Sequence, residues 1–328
     1  DRSTAGAGII VRIIAFRGRL VWRFGIRWRK NRSKKSSLNG PKGSLNLNGI
    51  DGTAAATVFS TWMKTTAGLA FFVGRGERTQ QTETAELTPA INEKSIAVLA
   101  FADMSPEADQ EPLRQELADK HGVKVSYLPA DMSDPGQIER LVANAIKKSS
   151  GIDVLVNNAG IQFVAPLEEF PTEKWDAILA IILSAAFHTT RAVLPHMRQQ
   201  QWGRIINISS AHGLRASPDK AAYVSAKHGL VGLTKTVALE TAEAGITCNA
   251  ICPGYVMTPL VEKQIPDTAR AHHMSEENVV RDVMLAGQPT SRFVKTEEIG
   301  GLAAFLCTDE AASLTGAALS VDGGWTAR

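Results

Sequence analysis

The chain has 328 residues, 44% hydrophobic and 21% charged, a composition that excludes disordered, collagen-like and coiled-coil proteins. Its three cysteines, Cys248, Cys252 and Cys307, lack metal-ligand spacing, so we expect neither a disulfide scaffold nor a metal site. The sequence contains no run of the roughly 18 apolar residues that a membrane span requires. We therefore expect no membrane span.

The charge is unevenly distributed. Residues 1–50 contain twelve Lys or Arg and one acid, a net charge of +11, which leaves −8 for the rest because the whole chain carries +3. Residues 9–35, in which apolar residues alternate with arginines, are compatible with a surface anchor, a nucleic-acid arm or a transit peptide. We favour a fourth interpretation, an unnatural extension, fusion or wrong reading frame, with which the absence of an initiating Met agrees. Residues 36–90 have the composition of a linker.

Hydrophobic periodicity predicts the following elements in chain order. Strands are expected at residues 95–102, 123–129, 154–157, 204–209, 246–252 and 317–321. Helices are expected at residues 110–121, 134–148, 172–197 (with Thr172 as its N-cap), 221–242 and 296–307. This alternation predicts an α/β fold with a Rossmann-like, doubly wound parallel sheet over residues 106–328, preceded by an atypical basic and linker segment over 1–105. Ligands of such sheets bind at the carboxyl ends of the strands.

Three residues near the predicted strand ends indicate proton-transfer chemistry. Tyr223 and Lys227 are four residues apart on a predicted helix, so they share one face. A neighbouring ammonium favours the phenolate form of a tyrosine, so this pair could exchange a proton with a substrate hydroxyl. Ser210, at the end of a strand, could donate a hydrogen bond to the same oxygen. A surface tyrosine with a solvated lysine is the alternative interpretation of the pair alone.

Two other strand ends carry small residues that let the backbone approach a flat ligand. They are Asn157-Asn158-Ala159-Gly160 and Pro253-Gly254. Asp131 ends a further strand. It could accept a hydrogen bond from an adenine amino group, or it could cap the helix predicted at residues 134–148, and the residues do not favour either role.

From about residue 106 to its end, the chain resembles the short-chain dehydrogenase/reductase family. The motifs that carry the resemblance are Asn157-Asn158-Ala159-Gly160, Ser210, Tyr223 with Lys227, Pro253-Gly254, and Val321-Asp322-Gly323-Gly324. Within that family it is most similar to the bacterial D-3-hydroxybutyrate dehydrogenases. Residues 158–162, 210–213, 220, 250–254, 258–261, 264 and 322–328 carry this closer match.

The resemblance implies an NAD-dependent oxidoreductase that interconverts (R)-3-hydroxybutyrate and acetoacetate, in a cytoplasmic homotetramer with no nucleic-acid partner. It implies that Tyr223 is the general acid/base, that Ser210 orients the substrate oxygen, and that Lys227 lowers the tyrosine pKa and binds the nicotinamide ribose. The implied carboxylate ligands are Gln162, His212, Lys220 and Gln264. The implied NAD contacts are Asp131, Asn158, Ala159, Gly160, Tyr223, Lys227, Pro253, Gly254, Val256 and Thr258.

The sequence departs from the family pattern in two places. The family opens with a strand and a Thr-Gly-x-x-x-Gly-x-Gly loop that binds pyrophosphate, and no segment of residues 1–105 matches it. Ile182 stands where the family has an asparagine that supports a water link to the lysine. These departures favour one alternative, a catalytically impaired relative. A second and weaker alternative is a related reductase of another small hydroxy or oxo compound.

Overall fold

The structure, a computed structural model, describes residues 9–15, 70–73, 95–102, 125–271 and 273–327. The strands are β1 Ile9–Ala15, β2 Ala70–Val73, β3 Ser95–Ala102, β4 Val125–Ala130, β5 Val154–Asn157, β6 Gly203–Ile208, β7 Ile246–Pro253 and β8 Ala318–Val321. The α-helices are α1 Pro135–Ser149, α2 Thr172–Leu179, α3 Ala185–Gln200, α4 Ala221–Thr241, α5 Pro259–Ala271, α6 Glu276–Val279 and α7 Thr296–Leu306. Two π-helices, Ala180–Ser184 and Val280–Met284, complete the longer helices.

The described strands form one sheet in the order β1-β4-β2-β3-β5-β6-β7-β8. From β3 to β8 in this order, each strand pairs in parallel with the next. Strand β1 pairs antiparallel with β3 and β4. The predicted Rossmann-like α/β fold is thus confirmed, and the helix predicted at residues 110–121 lies outside the described residues.

Helices cover both faces of the sheet, as the burial of its central strands shows. Every residue of β5, β6 and β7 is buried. Because successive side chains of a strand point to opposite faces, complete burial requires cover on both faces. Ile138 of α1, Met197 of α3 and Ile299 of α7 belong to the same core cluster as the sheet residues.

Two described strands lie where the sequence predicted none. β1 falls in the basic segment and β2 in the predicted linker. Both are short apolar stretches among polar residues, so their pairing with distant strands, rather than a local periodicity, makes them strands. The strand predicted at residues 95–102 is confirmed, and its Ile96 pairs with Val154 of β5.

The predicted Thr172 cap is wrong, and Asp131 does not take the capping role that the sequence left open for it. Helix α1 is capped by Asp134, whose Oδ1 accepts hydrogen bonds from the backbone N–H groups of Gly136 (2.8 Å) and Gln137 (3.2 Å), and not by Asp131. Helix α2 is preceded by Pro171, and Thr172 is its first residue. The helix therefore begins one residue earlier than a Thr172 cap would require. A proline, whose φ is fixed and which lacks an N–H, occupies the cap position instead.

The continuous helical stretch from Thr172 to Gln200 has a mean hydropathy of 1.7 over its most apolar 18 residues, enough by length and composition to cross a membrane. In this structure 44% of that window is buried. The helix packs on α1 and on the sheet, and Thr189, Val193 and Met197 are inaccessible to solvent. Packing in the core of the fold thus explains its apolar composition.

Candidate active site

The candidate site lies where β5, β6 and β7 end. These strands are adjacent and parallel, so their carboxyl ends share one edge of the sheet. Asn158 directly follows β5, Ser210 comes two residues after β6, and Gly254 directly follows β7. The fold therefore brings together the three strand ends that the sequence analysis selected.

Ser210 begins a short 3-10 helix, Ala211–Gly213, and its Oγ accepts a hydrogen bond from the backbone N–H of His212 at 3.1 Å. Gly213 lets this turn approach helix α4, since a Cβ there would collide with Ser209 Oγ and lie 2.9 Å from the carbonyl oxygen of Lys227. Ser209 Oγ also donates a hydrogen bond to that carbonyl, at 3.1 Å. The turn is thus fixed against the helix that carries Tyr223.

Tyr223 and Lys227 lie one turn apart on α4, as predicted. The Lys227 ammonium donates a hydrogen bond to the carbonyl oxygen of Ile208 at 2.7 Å and lies 5.6 Å from the centre of the Tyr223 ring. Ser210 forms a hydrogen bond with the Tyr223 hydroxyl. Tyr223, Ser210 and Lys227 therefore form one cluster at the end of β6.

The ionisation of this cluster differs from the expectation. Burial raises the pKa of Tyr223 to about 12, and the Ser210 hydrogen bond, which favours the phenolate, only partly opposes this. Burial also lowers the pKa of Lys227 to about 8. The net shift of the tyrosine pKa is therefore upward, because desolvation of the phenolate is the largest effect. The lowering of this pKa by Lys227 stays a prediction.

The polar groups around the end of β5 could hold the nicotinamide-ribose part of a dinucleotide. Asn158 is 4% exposed, and its buried Nδ2 has no hydrogen-bond partner among the residues that the structure describes. An unpartnered buried donor is costly unless a ligand satisfies it. Ala159 and Gly160 follow it, and a Cβ on Gly160 would lie only 3.9 Å from the Lys227 ammonium. The backbone at Gly160, two residues after Asn158, therefore lies next to the Lys227 side chain.

Pro253 and Gly254 form the third strand end. Gly254 is required there, since a Cβ would collide with Gln288 Oε1 and approach the Cα of Asp322 to 3.0 Å. Beyond this strand end, Val256 forms an isolated parallel β-bridge with Val294. At the start of α5, Thr258 Oγ1 accepts a hydrogen bond from the backbone N–H of Val261 at 3.3 Å.

Asp131 lies apart from these residues. It follows β4, and β2 and β3 lie between β4 and β5 in the sheet. Its Oδ1 accepts hydrogen bonds from the backbone N–H and the Oγ of Ser133, at 2.8 and 2.7 Å. Asp131 therefore shapes its own turn and lies outside the cluster around Tyr223.

Two of the four predicted carboxylate ligands, His212 and Lys220, lie near each other, and His212 contacts Tyr223. The His212 ring packs edge-on against Tyr223 at 5.9 Å, and its Nε2 lies 2.9 Å from Ser217 Oγ. Burial, and secondarily the charge of Lys220, lower the pKa of His212 to about 4, so its imidazole is neutral at pH 7. Lys220 is half-buried at the start of α4.

The other two predicted carboxylate ligands are Gln162 and Gln264. Gln162 is half-buried between Ile161 and Phe163, which both pack on the apolar cluster that Tyr223 also contacts. Gln264 lies on α5, and its side chain is outside the described residues.

Sequence analysis missed an aromatic pair at this site. Tyr255 and Trp325 stack with their ring centres 5.6 Å apart and their planes at 8°. Trp325 also packs edge-on against His212 at 5.1 Å. Both residues directly follow glycines of recognised motifs, Gly254 and Gly324, which is the signal that could have identified them.

Ile182 lies in the π-helix Ala180–Ser184, so the helix is distorted at this position although an isoleucine occupies it. The side chain is 2% exposed and packs among Ile178, Ala222 and Ala226. It also lies 3.6 Å from where a Cβ of Gly160 would be. An apolar side chain therefore fills the space next to Lys227.

The family model described as "Enoyl-(Acyl carrier protein) reductase" matches residues 92–326. The chain is 56% identical over 213 residues to the D-beta-hydroxybutyrate dehydrogenase of Rhizobium meliloti, an alignment that covers 65% of this chain and 83% of that protein. It is 51% identical over 221 residues to the protein of the same name from Cupriavidus necator, covering 67% and 86%. It is also 37% identical over 201 residues to the 3-oxoacyl-[acyl-carrier-protein] reductase of Thermotoga maritima, covering 61% and 77%.

Proposed function

Since this chain belongs to the short-chain dehydrogenase/reductase family and is an oxidoreductase, we propose that it interconverts (R)-3-hydroxybutyrate and acetoacetate with NAD as its cofactor. The observation that carries this proposal is that His212 packs against the Tyr223 ring and that Lys220 lies close enough to His212 for its charge to lower the His212 pKa. A cationic side chain next to a proton-transfer group suits a short acid with a hydroxyl near its carboxylate. The similarity to two D-beta-hydroxybutyrate dehydrogenases supports the same substrate.

NAD would supply the acceptor for the hydride that leaves C3 of the hydroxy acid. The hydroxyl proton of the substrate passes to Tyr223 Oη, and a C=O double bond forms as the C–H and O–H bonds break. Ser210 donates a hydrogen bond to the same substrate oxygen. Lys227, fixed by its bond to the Ile208 carbonyl, supplies positive charge near this oxygen and a donor for a ribose hydroxyl.

The raised pKa of Tyr223 bears on the direction of the reaction. At neutral pH its phenol is protonated, so it is ready to donate a proton to acetoacetate in the reduction. Oxidation requires the phenolate, the minor form near neutral pH. We therefore propose that oxidation of the hydroxy acid becomes faster as the pH rises.

The substrate carboxylate is held by Lys220 through its charge and by neutral donors. His212 is neutral because its pKa is lowered to about 4, so it can donate one hydrogen bond and accept another. Gln162 and Gln264 complete the proposed set. A single cation among neutral groups would favour a small monocarboxylate.

We further propose that the protein is a cytoplasmic homotetramer. Apolar side chains on three helices support self-association: Phe187 of α3 is 46% exposed, Leu239 of α4 is 82% exposed and Phe305 of α7 is 43% exposed. Large apolar residues left accessible on long helices are typical of subunit interfaces.

A second candidate function is a catalytically impaired relative that assembles with other copies but turns over poorly. The absence from the sequence of the glycine-rich phosphate loop and the burial of Ile182 next to Lys227 favour it. Turnover measured at saturating NAD separates the two candidates, since an enzyme with a low affinity for NAD still oxidises (R)-3-hydroxybutyrate and an impaired relative does not.

The substrate is tested by steady-state oxidation of (R)-3-hydroxybutyrate, its S enantiomer and its methyl ester. We expect the R acid to be preferred over both. A preference for the ester, or for a longer 3-oxo thioester as the reductase similarity allows, would replace the proposed substrate with that of another reductase.

A further inference from the structure

Tyr255 lies between a residue of the proposed carboxylate site and the C-terminal Trp325. Lys220 Nζ donates a hydrogen bond to Tyr255 Oη at 3.4 Å and lies 5.7 Å from the centre of its ring. The same ring stacks on Trp325. One aromatic side chain thus connects the start of α4 with the C-terminal turn.

The position of the Tyr255 ring is fixed from several directions. Its backbone N–H donates a hydrogen bond to Gln288 Oε1, and Gln288 is 1% exposed. The indole of Trp325 has room to stack because residue 287 is a glycine, and a Cβ there would lie 2.8 Å from two indole atoms. Arg215 Nη1 holds the carbonyl oxygen of Trp325 at 2.9 Å. The phenol oxygen is therefore a rigid acceptor.

Lys220, in contrast, has a long flexible side chain. A lysine loses rotamer entropy when its ammonium is fixed in one position. An acceptor that is already rigid removes part of this cost before the substrate arrives. The Tyr255 hydroxyl is such an acceptor, and it leaves two of the three ammonium hydrogens for other partners.

We propose that Tyr255 is a positioning residue, which holds the Lys220 ammonium beside His212 and so sets the affinity of the site for a substrate carboxylate. This role rests on the proposed function, since it assumes that Lys220 binds a carboxylate. By this role, Tyr255 and Trp325 contribute to the affinity for the substrate and take no part in the proton transfer.

The first test is kinetic and uses Tyr255→Phe, which retains the stacked ring and removes only the acceptor oxygen. The KM for (R)-3-hydroxybutyrate should rise about fivefold to tenfold, with kcat changed by less than about twofold. The KM for the methyl ester should change less. Lys235→Met, which removes an exposed lysine from the same helix, is the matched control and should leave both constants unchanged. The proposal would be overturned if kcat fell and KM rose by the same factors for the acid and for the ester.

The second test needs no turnover. Lys220 is one of two nearby groups whose positive charge lowers the His212 pKa, and His228 is the other. NMR titration of labelled histidines should therefore show a higher His212 pKa in Tyr255→Phe and in Lys220→Met. The double variant should match Lys220→Met alone, because both changes act through one ammonium.

These outcomes separate the two proposals. A wild-type protein that oxidises no 3-hydroxy acid contradicts the proposed function, and the histidine titration still decides the role of Tyr255. If Tyr255→Phe leaves the His212 pKa unchanged while Lys220→Met raises it, Tyr255 does not position Lys220. Should Tyr255→Phe fail to fold, Tyr255→Trp provides a second variant with an aromatic ring and no acceptor oxygen.

Discussion

The Lys227 ammonium donates a hydrogen bond to the carbonyl oxygen of Ile208, so the side chain of helix α4 is tied to the last residue of strand β6. Lys227 is only 4% exposed, and this 2.7 Å bond satisfies one of its three N–H groups where water has little access. It therefore places α4, and with it Tyr223, directly over the edge of the sheet. The first prediction concerns that tyrosine.

Tyr223→Phe should lower turnover of (R)-3-hydroxybutyrate by roughly 100-fold or more, because it removes the hydroxyl that exchanges the substrate proton. The ring and its contact with His212 remain, so the melting temperature should change little. Steady-state kinetics and circular dichroism measure the two effects. Undiminished turnover in this variant would exclude Tyr223 as the acid/base.

The stability of the protein should fall between pH 6.5 and pH 4 because of His212. Its folded-state pKa is about 4 and its ordinary pKa is 6.5, so over this range the unfolded chain binds a proton that the folded protein does not. The lost stability amounts to about 3 kcal/mol for this shift. Urea denaturation in His212→Gln should show a smaller fall, whereas His273→Gln, which changes an exposed histidine, should behave like the wild type. A fall of the same size in His212→Gln would contradict the prediction.

Ile182→Asn should change stability and turnover in opposite directions. An amide placed among Ile178, Ala222 and Ala226 loses apolar contacts and costs about 1–3 kcal/mol. It would also restore, next to Lys227, the polar group that the family has, so turnover should rise. Ile182→Val is the control and should lower stability by about 1 kcal/mol with no gain in turnover. Unchanged turnover in Ile182→Asn would indicate that this position does not limit catalysis.

The unmodified chain should bind NAD weakly, because no segment of residues 1–105 has the sequence of a glycine-rich phosphate loop. Arginines of residues 1–50 could attract phosphates, but only in a salt-sensitive manner. Replacing residues 1–91, which precede the family match, with a family-like opening segment should tighten binding. Calorimetry at moderate salt measures both proteins. A micromolar dissociation constant for the unmodified chain would refute this prediction.

The wild-type protein should be a tetramer in light scattering. Phe187→Lys, which places a charge on an exposed apolar position of α3, should reduce the measured mass. The exposed Lys235→Met on α4 is the control and should leave the mass unchanged. A wild-type protein of monomeric mass would contradict the proposed assembly.

Much of the architecture could be predicted from the sequence. The strand expected at residues 154–157 is β5 Val154–Asn157, and the predicted helix at residues 221–242 ends one residue earlier, at Thr241. Both elements are rich in apolar residues that the fold buries, so packing reinforces what the residues favour. The strands β1 and β2 were missed, since their apolar stretches are short and depend on pairing with distant strands.

The candidate site shows the same division. The sequence by itself determined that Tyr223 and Lys227 share one helix face and that Ser210 lies near a strand end, because helical spacing and strand alternation are local properties. Only the tertiary structure decided the pKa of Tyr223, which burial raises to about 12, against the direction that the neighbouring lysine indicated. Only the tertiary structure brought Tyr255 onto Trp325, seventy residues further along the chain. Burial and long-range contacts depend on how separate segments pack, and no local pattern of residues specifies them.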